Sequence, residues 1–72
     1  EDYLNRDLSN AVSFKGNLVF GDFEGYVHVL NPLNGITTGR KKVSKKSIKT
    51  IFSRSNSLYA IDEEFNLFSI KI

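Results

Sequence analysis

Apolar residues in this chain come in short runs, and no helical face is sustained anywhere along it. The runs are bounded by turn-forming clusters, of which Gly16-Asn17, Asp22 to Gly25 and Asn31 to Gly35 are the clearest. Short apolar runs punctuated in this way are strands joined by tight hairpins. The pattern predicts seven of them: 11–14, 18–22, 26–31, 36–41, 48–53, 58–62 and 67–71. Seven short strands at regular spacing indicate an all-β fold, either a sandwich, a barrel or a propeller. Residues 1–8 are left as a leading loop.

The turns carry their own chemistry. In Asp22-Phe23-Glu24-Gly25 the carboxylate can accept backbone N–H groups while Gly25 takes the left-handed conformation that closes the hairpin. In Asn31-Pro32-Leu33-Asn34-Gly35 the ring of Pro32 presets the first corner and Gly35 supplies positive φ at the end. Asp22, Gly25, Pro32 and Gly35, with Asp62 in the later hairpin, are therefore candidate structural turn residues.

Sliding the sequence against itself by 40 residues places Leu18 on Leu58, Asp22 on Asp62 and Glu24 on Glu64. The run 26–30 then coincides with 66–70, and 11–14 with 51–54. A period near 40 residues with four strands per period describes a β-propeller blade. The second and third strands are apolar on both faces, as suits a sheet sandwiched between neighbouring blades, and the fourth, ITTGRK, is polar enough for an outer rim. The expected organisation is two antiparallel blades packed face to face. Residues 1–43 form a penultimate blade with its leading loop, and residues 44–72 a final blade with only three of its four strands.

One position conflicts with this repeat. Phe65 stands where the first unit has Gly25, and a bulky residue at positive φ is costly. Either that turn has another shape, or Asn66 takes the left-handed position and the register slips by one, which would exchange the faces of residues 67–71. The 40-residue register is the preferred expectation.

Length and composition narrow the reading. A chain of 72 residues holds one small unit, and a core of that size rarely contributes more than about 3–5 kcal/mol without disulfides, metal or a partner. With no Cys and a single His there is neither a disulfide nor a metal cage. No apolar run approaches the ~18 residues of a membrane span. The chain opens without Met, which points to a processed chain, an excised piece or a fragment. Net charge is only +2, but the window RKKVSKKSIK at 40–49 holds six of the ten basic residues. Such a cluster can meet nucleic acid or anionic lipid, although its plain reading is a solvated linking loop.

Catalysis finds little support. One His and no Cys leave no nucleophile–base–orienter set. His28, between Val27 and Val29, reads as an imidazole packed on the neighbouring blade or bonded to a carbonyl. Asp22 with Glu24 offers too few oxygens for Ca²⁺, which wants 6–8. No catalytic, cofactor-binding or metal-binding residue is assigned.

The stretch YLNRDLSNAVSFKGNLVFGDFEGYVHVLNPLNGITTGRKKV, followed by SNSLYAIDEEFNLFSIKI, resembles the C-terminal end of the propeller lipoproteins of the bacterial outer-membrane β-barrel assembly machinery. These are built from pyrroloquinoline-quinone-like repeats. The most telling segment is GNLVFGDFEGYVHVLN: a Gly-Asn hairpin, an apolar strand, Gly-Asp, an acidic-Gly turn and an apolar strand carrying a His. The likeness runs through essentially the whole chain and is most specific over residues 8–43. It implies an eight-bladed parent, exported, lipid-anchored through an N-terminal Cys and held on the periplasmic face of the outer membrane. It also implies a non-enzymatic interaction platform for the periplasmic domains of the barrel-inserting subunit, BamA, with no cofactor despite the repeat's name. The partner-binding residues of that family belong to earlier blades, so no position here inherits them.

The competing reading is a free-standing SH3-like small barrel that binds nucleic acid through Arg40–Lys49. It leaves the 40-residue repeat unexplained, and the basic cluster has no interleaved aromatics for base stacking. A blade reading carries a further expectation. With an unpaired last strand and bare outer faces, the isolated chain self-associates.

Overall fold

A computed structural model describes residues 9–71, and the leading loop at 1–8 lies outside the described residues. The strands are β1 (Val12–Phe14), β2 (Asn17–Gly21), β3 (Tyr26–Asn31), β4 (Ile36–Lys42), β5 (Ile48–Arg54), β6 (Ser57–Asp62) and β7 (Leu67–Ile70). They form two antiparallel meanders: a four-stranded sheet in the order β1-β2-β3-β4, and a three-stranded sheet in the order β5-β6-β7. The all-β, two-sheet expectation is borne out, and the strands do not join into one closed barrel.

The repeat is visible in backbone geometry as well as in sequence. Lys15 and Gly16 both have positive φ, at 51° and 80°, and Ser55 and Asn56, 40 residues on, match them at 52° and 66°. Two central residues at positive φ make the hairpin turn whose twist suits flanking strands. The β2–β3 and β6–β7 pairings are also in identical register: Leu18 faces Leu30, and Leu58 faces Ile70. Neither anticipated escape at Phe65 occurs. Phe65 itself takes positive φ, at 66°, beside 90° for Gly25.

A second difference concerns the basic window. Arg40 and Lys41 lie in β4 as the strand pattern predicts, and Lys42 extends it by one residue beyond that prediction into the supposed loop; the three pair with His28, Val27 and Tyr26 of β3. Every residue of β4 is exposed, because it is the rim strand of its sheet. The true linker is the short segment 43–47, which is strapped to the first sheet. Val43 and Ser44 donate backbone N–H groups to the Gly25 carbonyl at 2.8 and 3.1 Å. Ser47 Oγ donates to the Phe23 carbonyl at 2.9 Å, and the Ile48 N–H to the Asp22 carbonyl at 3.0 Å.

The core lies between the sheets. Phe14, Val19 and Val27 pack from the first sheet, and Ile48, Ile51, Leu58, Ala60 and Ile70 from the second, with Val12, Val29 and Val43 at the margin. Each Val, Leu, Ile or Phe among them contributes about 1.5–3 kcal/mol on full burial. Gly21 permits the close approach of β5, since a Cβ there would run into the Ile48 side chain. Asn10 pins the leading segment to β5. Its Oδ1 accepts from the Ile51 N–H at 3.0 Å and Thr50 Oγ at 2.9 Å, and its Nδ2 donates to the Ile51 carbonyl at 2.8 Å.

Candidate interaction surface

The polar groups with most potential for chemistry are spent on structure. Asp22 directly follows β2, one residue outside the strand in which the sequence placed it, and its carboxylate folds back over the turn. Oδ1 accepts the N–H groups of Glu24 and Tyr26, each at 2.9 Å. Oδ2 meets His28 Nε2 at 2.7 Å, with both side chains buried. His28 is thus bonded to a carboxylate, and its ring stacks on Phe20 at 5.1 Å between centroids. Burial alone would raise the Asp22 carboxyl. The His28 hydrogen bond, the two backbone N–H groups and the charge of His28 outweigh it, and the net shift is downward.

Asp62 repeats the arrangement with different partners. Its Oδ1 accepts from the N–H groups of Glu64 at 3.0 Å and Asn66 at 2.9 Å. Its Oδ2 accepts from Ser44 Oγ at 2.7 Å and Asn66 Nδ2 at 3.1 Å. Burial pushes this carboxyl up, but the bonds from Ser44, Asn66 and Glu64 prevail and hold it at about 2. Ser44 was not singled out in the sequence, and a serine among lysines carries no signal of a buried role. It binds the linker to the second sheet's turn.

The remaining turn residues lie apart from these two. Gly35 has φ of 72° and donates its N–H to the Asn31 carbonyl at 2.8 Å, while Pro32 sits exposed in the same turn. The turn residues gather into no common pocket. Among the described residues no group of three or more His, Asp or Glu side chains could hold a metal.

What remains is surface. Arg40 and Lys42 project from β4 on the same side as Tyr26 and hold their cationic groups over its ring, each 5.0 Å from the centroid. Lys42 Nζ also donates to the Glu24 carbonyl at 2.7 Å. Lys46 pairs with Glu64 at 3.6 Å, and Lys49 lies 5.5 Å over the Phe65 ring. The basic window is therefore divided among three local settings. Between the rims of the sheets, Val27, Val29 and Ile70 floor an open cleft of about 300 Å³ edged by Arg40, Lys41 and Lys71. The outer face of the second sheet presents Phe52 and Tyr59 with rings stacked at 5.3 Å, together with Ile61 and the exposed Leu67.

No family model matches the chain. The outer membrane protein assembly factor BamB of Escherichia coli strain K12 is 41% identical over 49 residues, covering 68% of this chain and 12% of that protein. BamB of Pseudomonas aeruginosa is 41% identical over 44 residues, 61% of this chain and 12% of the relative. The crystal structure of BamB from Moraxella catarrhalis superposes with a TM-score of 0.79 at 28% identity, over 89% of this chain and 19% of that one. The chain thus spans about an eighth of the curated relatives' length, and over that span it matches BamB in both sequence and fold. The resemblance and the propeller-blade fold read from the sequence are borne out.

Proposed function

We propose that this segment of a BamB-type propeller belongs to an outer-membrane protein assembly factor and works without catalysis, as part of a rigid interaction platform. The observation that carries the reading is that BamB is matched independently in sequence, over 68% of the chain, and in fold, over 89% of it. Residues 1–43 are then the penultimate blade and 44–72 the final, three-stranded one. The platform engages the barrel-assembly machinery through the periplasmic domains of BamA, on the periplasmic face of the outer membrane, and so supports insertion of β-barrel proteins. Local chemistry supports a scaffold role. The buried carboxylates of Asp22 and Asp62 are consumed in tying turns to neighbouring strands, and groups held that way resist motion rather than exchange protons with a substrate.

The test is a chimera in which the matching segment of E. coli BamB is replaced by the corresponding residues of this chain. Co-purification with the assembly machinery, together with normal amounts of barrel proteins in the outer membrane, supports the reading. A chimera that is folded and present in normal amount, yet loses both, overturns it.

A further inference from the structure

The β3–β4 hairpin turns through Asn31-Pro32-Leu33-Asn34-Gly35, and every residue from Pro32 to Ile36 is exposed. Two side-chain amides shape the turn. Asn31 Oδ1 accepts the Leu33 N–H and Asn34 Oδ1 accepts the Ile36 N–H, each at 2.9 Å. The second bond closes a ring of atoms that contains both the Asn34 amide carbon and the Gly35 nitrogen, and so folds the amide forward over the next peptide. Nothing shields that peptide: Gly35 has no side chain, and a Cβ built there would meet no atom within 4 Å. The other asparagines are placed differently. Only Asn34 precedes Gly, and Asn31 precedes Pro32, whose nitrogen carries no proton. The Asn10 and Asn66 amides are tied to Ile51 and Asp62.

We propose that Asn34-Gly35 is a site of covalent modification, at which the folded chain exchanges the Asn34 amide nitrogen for oxygen from water. The Gly35 nitrogen gives up its proton to solvent and bonds to the Asn34 amide carbon. The bond from that carbon to Nδ2 breaks, and the nitrogen leaves as ammonia with a proton from solvent. Negative charge develops on Oδ1 during the attack, and the Ile36 N–H already points at that oxygen. The Gly35 N–H is also bonded to the Asn31 carbonyl at 2.8 Å, and the exposure of the turn lets water take over that bond. Water then opens the cyclic imide at one of its two carbonyls, giving aspartate or isoaspartate. The sum is one water taken up and one ammonia released, with no oxidant or enzyme. Either product lowers the net charge of +2 by one. Isoaspartate also adds an atom to the main chain inside the turn, which displaces the closing pair of Asn31 with Ile36. This inference goes beyond the assembly-platform reading, since it needs only the turn and water.

The test is incubation of the 72-residue chain at mildly alkaline pH, folded and in guanidinium chloride, followed by peptide mapping. In the folded chain the mass gain of an amide converted to an acid is expected at Asn34 alone, at least as fast as in the unfolded chain. Ammonia is released in step, and the same peptide becomes a methyl acceptor for an isoaspartate methyltransferase. Gly35→Ala slows the gain, and circular dichroism shows that the sheets persist. Folded chain that reacts at Asn34 more slowly than unfolded chain would mean that the Asn31–Gly35 bond protects the turn, and overturns the inference. So does a gain at another asparagine as fast as at Asn34, or no gain at all.

Discussion

Asp22 and Asp62 hold equivalent turns, 40 residues apart, by the same four bonds. Each Oδ1 accepts the N–H groups two and four residues ahead, at 2.9 to 3.0 Å. Each backbone N–H donates to the carbonyl four residues on, and each carbonyl accepts from the residue three ahead. The second carboxylate oxygens differ, and the Asp22 carbonyl also accepts from the Ile48 N–H. The second oxygen of Asp22 reaches along its own sheet to His28, and that of Asp62 reaches the linker through Ser44. One turn design therefore both closes a hairpin and fastens whatever strand lies next to it.

Acid sensitivity follows from these carboxylates. An unfolded Asp titrates near 3.9, whereas Asp62 is held at about 2 and Asp22 also lies below its ordinary value. A lowered folded-state pKa contributes stability that is complete above the unfolded value and is lost as pH falls through the folded one. Melting of the native chain should be flat above about pH 5 and fall between there and pH 2. Asp62→Asn lowers the melting temperature at neutral pH. Its deficit relative to the native chain narrows as the pH drops through that window, and a deficit unchanged from pH 7 to pH 2 would refute the linkage.

Phe65→Gly is expected to stabilise the chain by about 1 kcal/mol, because the side chain at φ 66° is strained. It is 74% exposed, so little burial is given up. The contact with Lys49 offsets part of the gain, by roughly 0.5 kcal/mol at an exposed site. Urea denaturation reads the difference as a higher midpoint with an unchanged slope.

Gly25→Ala acts in the opposite direction at the equivalent position. Its new Cβ would collide with the Ser44 carbonyl in addition to the unfavourable φ of 90°. A cost of roughly 2–3 kcal/mol is expected. Hydrogen exchange should localise the damage to the Val43 and Ser44 amides, which donate to the Gly25 carbonyl. Unchanged protection at those two amides would rule out the linker contact as the cause.

Leu58→Ala removes a side chain with no solvent exposure from the centre of the inter-sheet core. Such truncations cost about 2–5 kcal/mol, comparable to the whole stability of a core this small. Both sheets should lose their signal together on gentle warming, since their buried apolar residues form one shared core. Loss confined to β5–β7 would mean that the first sheet is stable alone.

The sequence by itself determined the strands, the hairpins and their equivalence at 40 residues. Those features rest on local chemistry: short apolar runs bounded by turn residues, Gly at positive φ, and Asp accepting N–H groups a few residues ahead. Tertiary structure decided the rest. Phe65 keeps the repeat's register although its own preference opposes it, because Asp62 anchors the N–H groups on either side and Ser44 holds Asp62 from across the linker. Lys42 reads as the start of a solvated loop, yet it extends the strand by one residue, because Tyr26 of β3 lies alongside to pair with it. His28 shows no partner in the local sequence. The hairpin brings it to Asp22, and burial makes that bond obligatory. Propensity acts over a few residues, whereas these choices depend on groups that meet only once the strands pair and the two sheets stack.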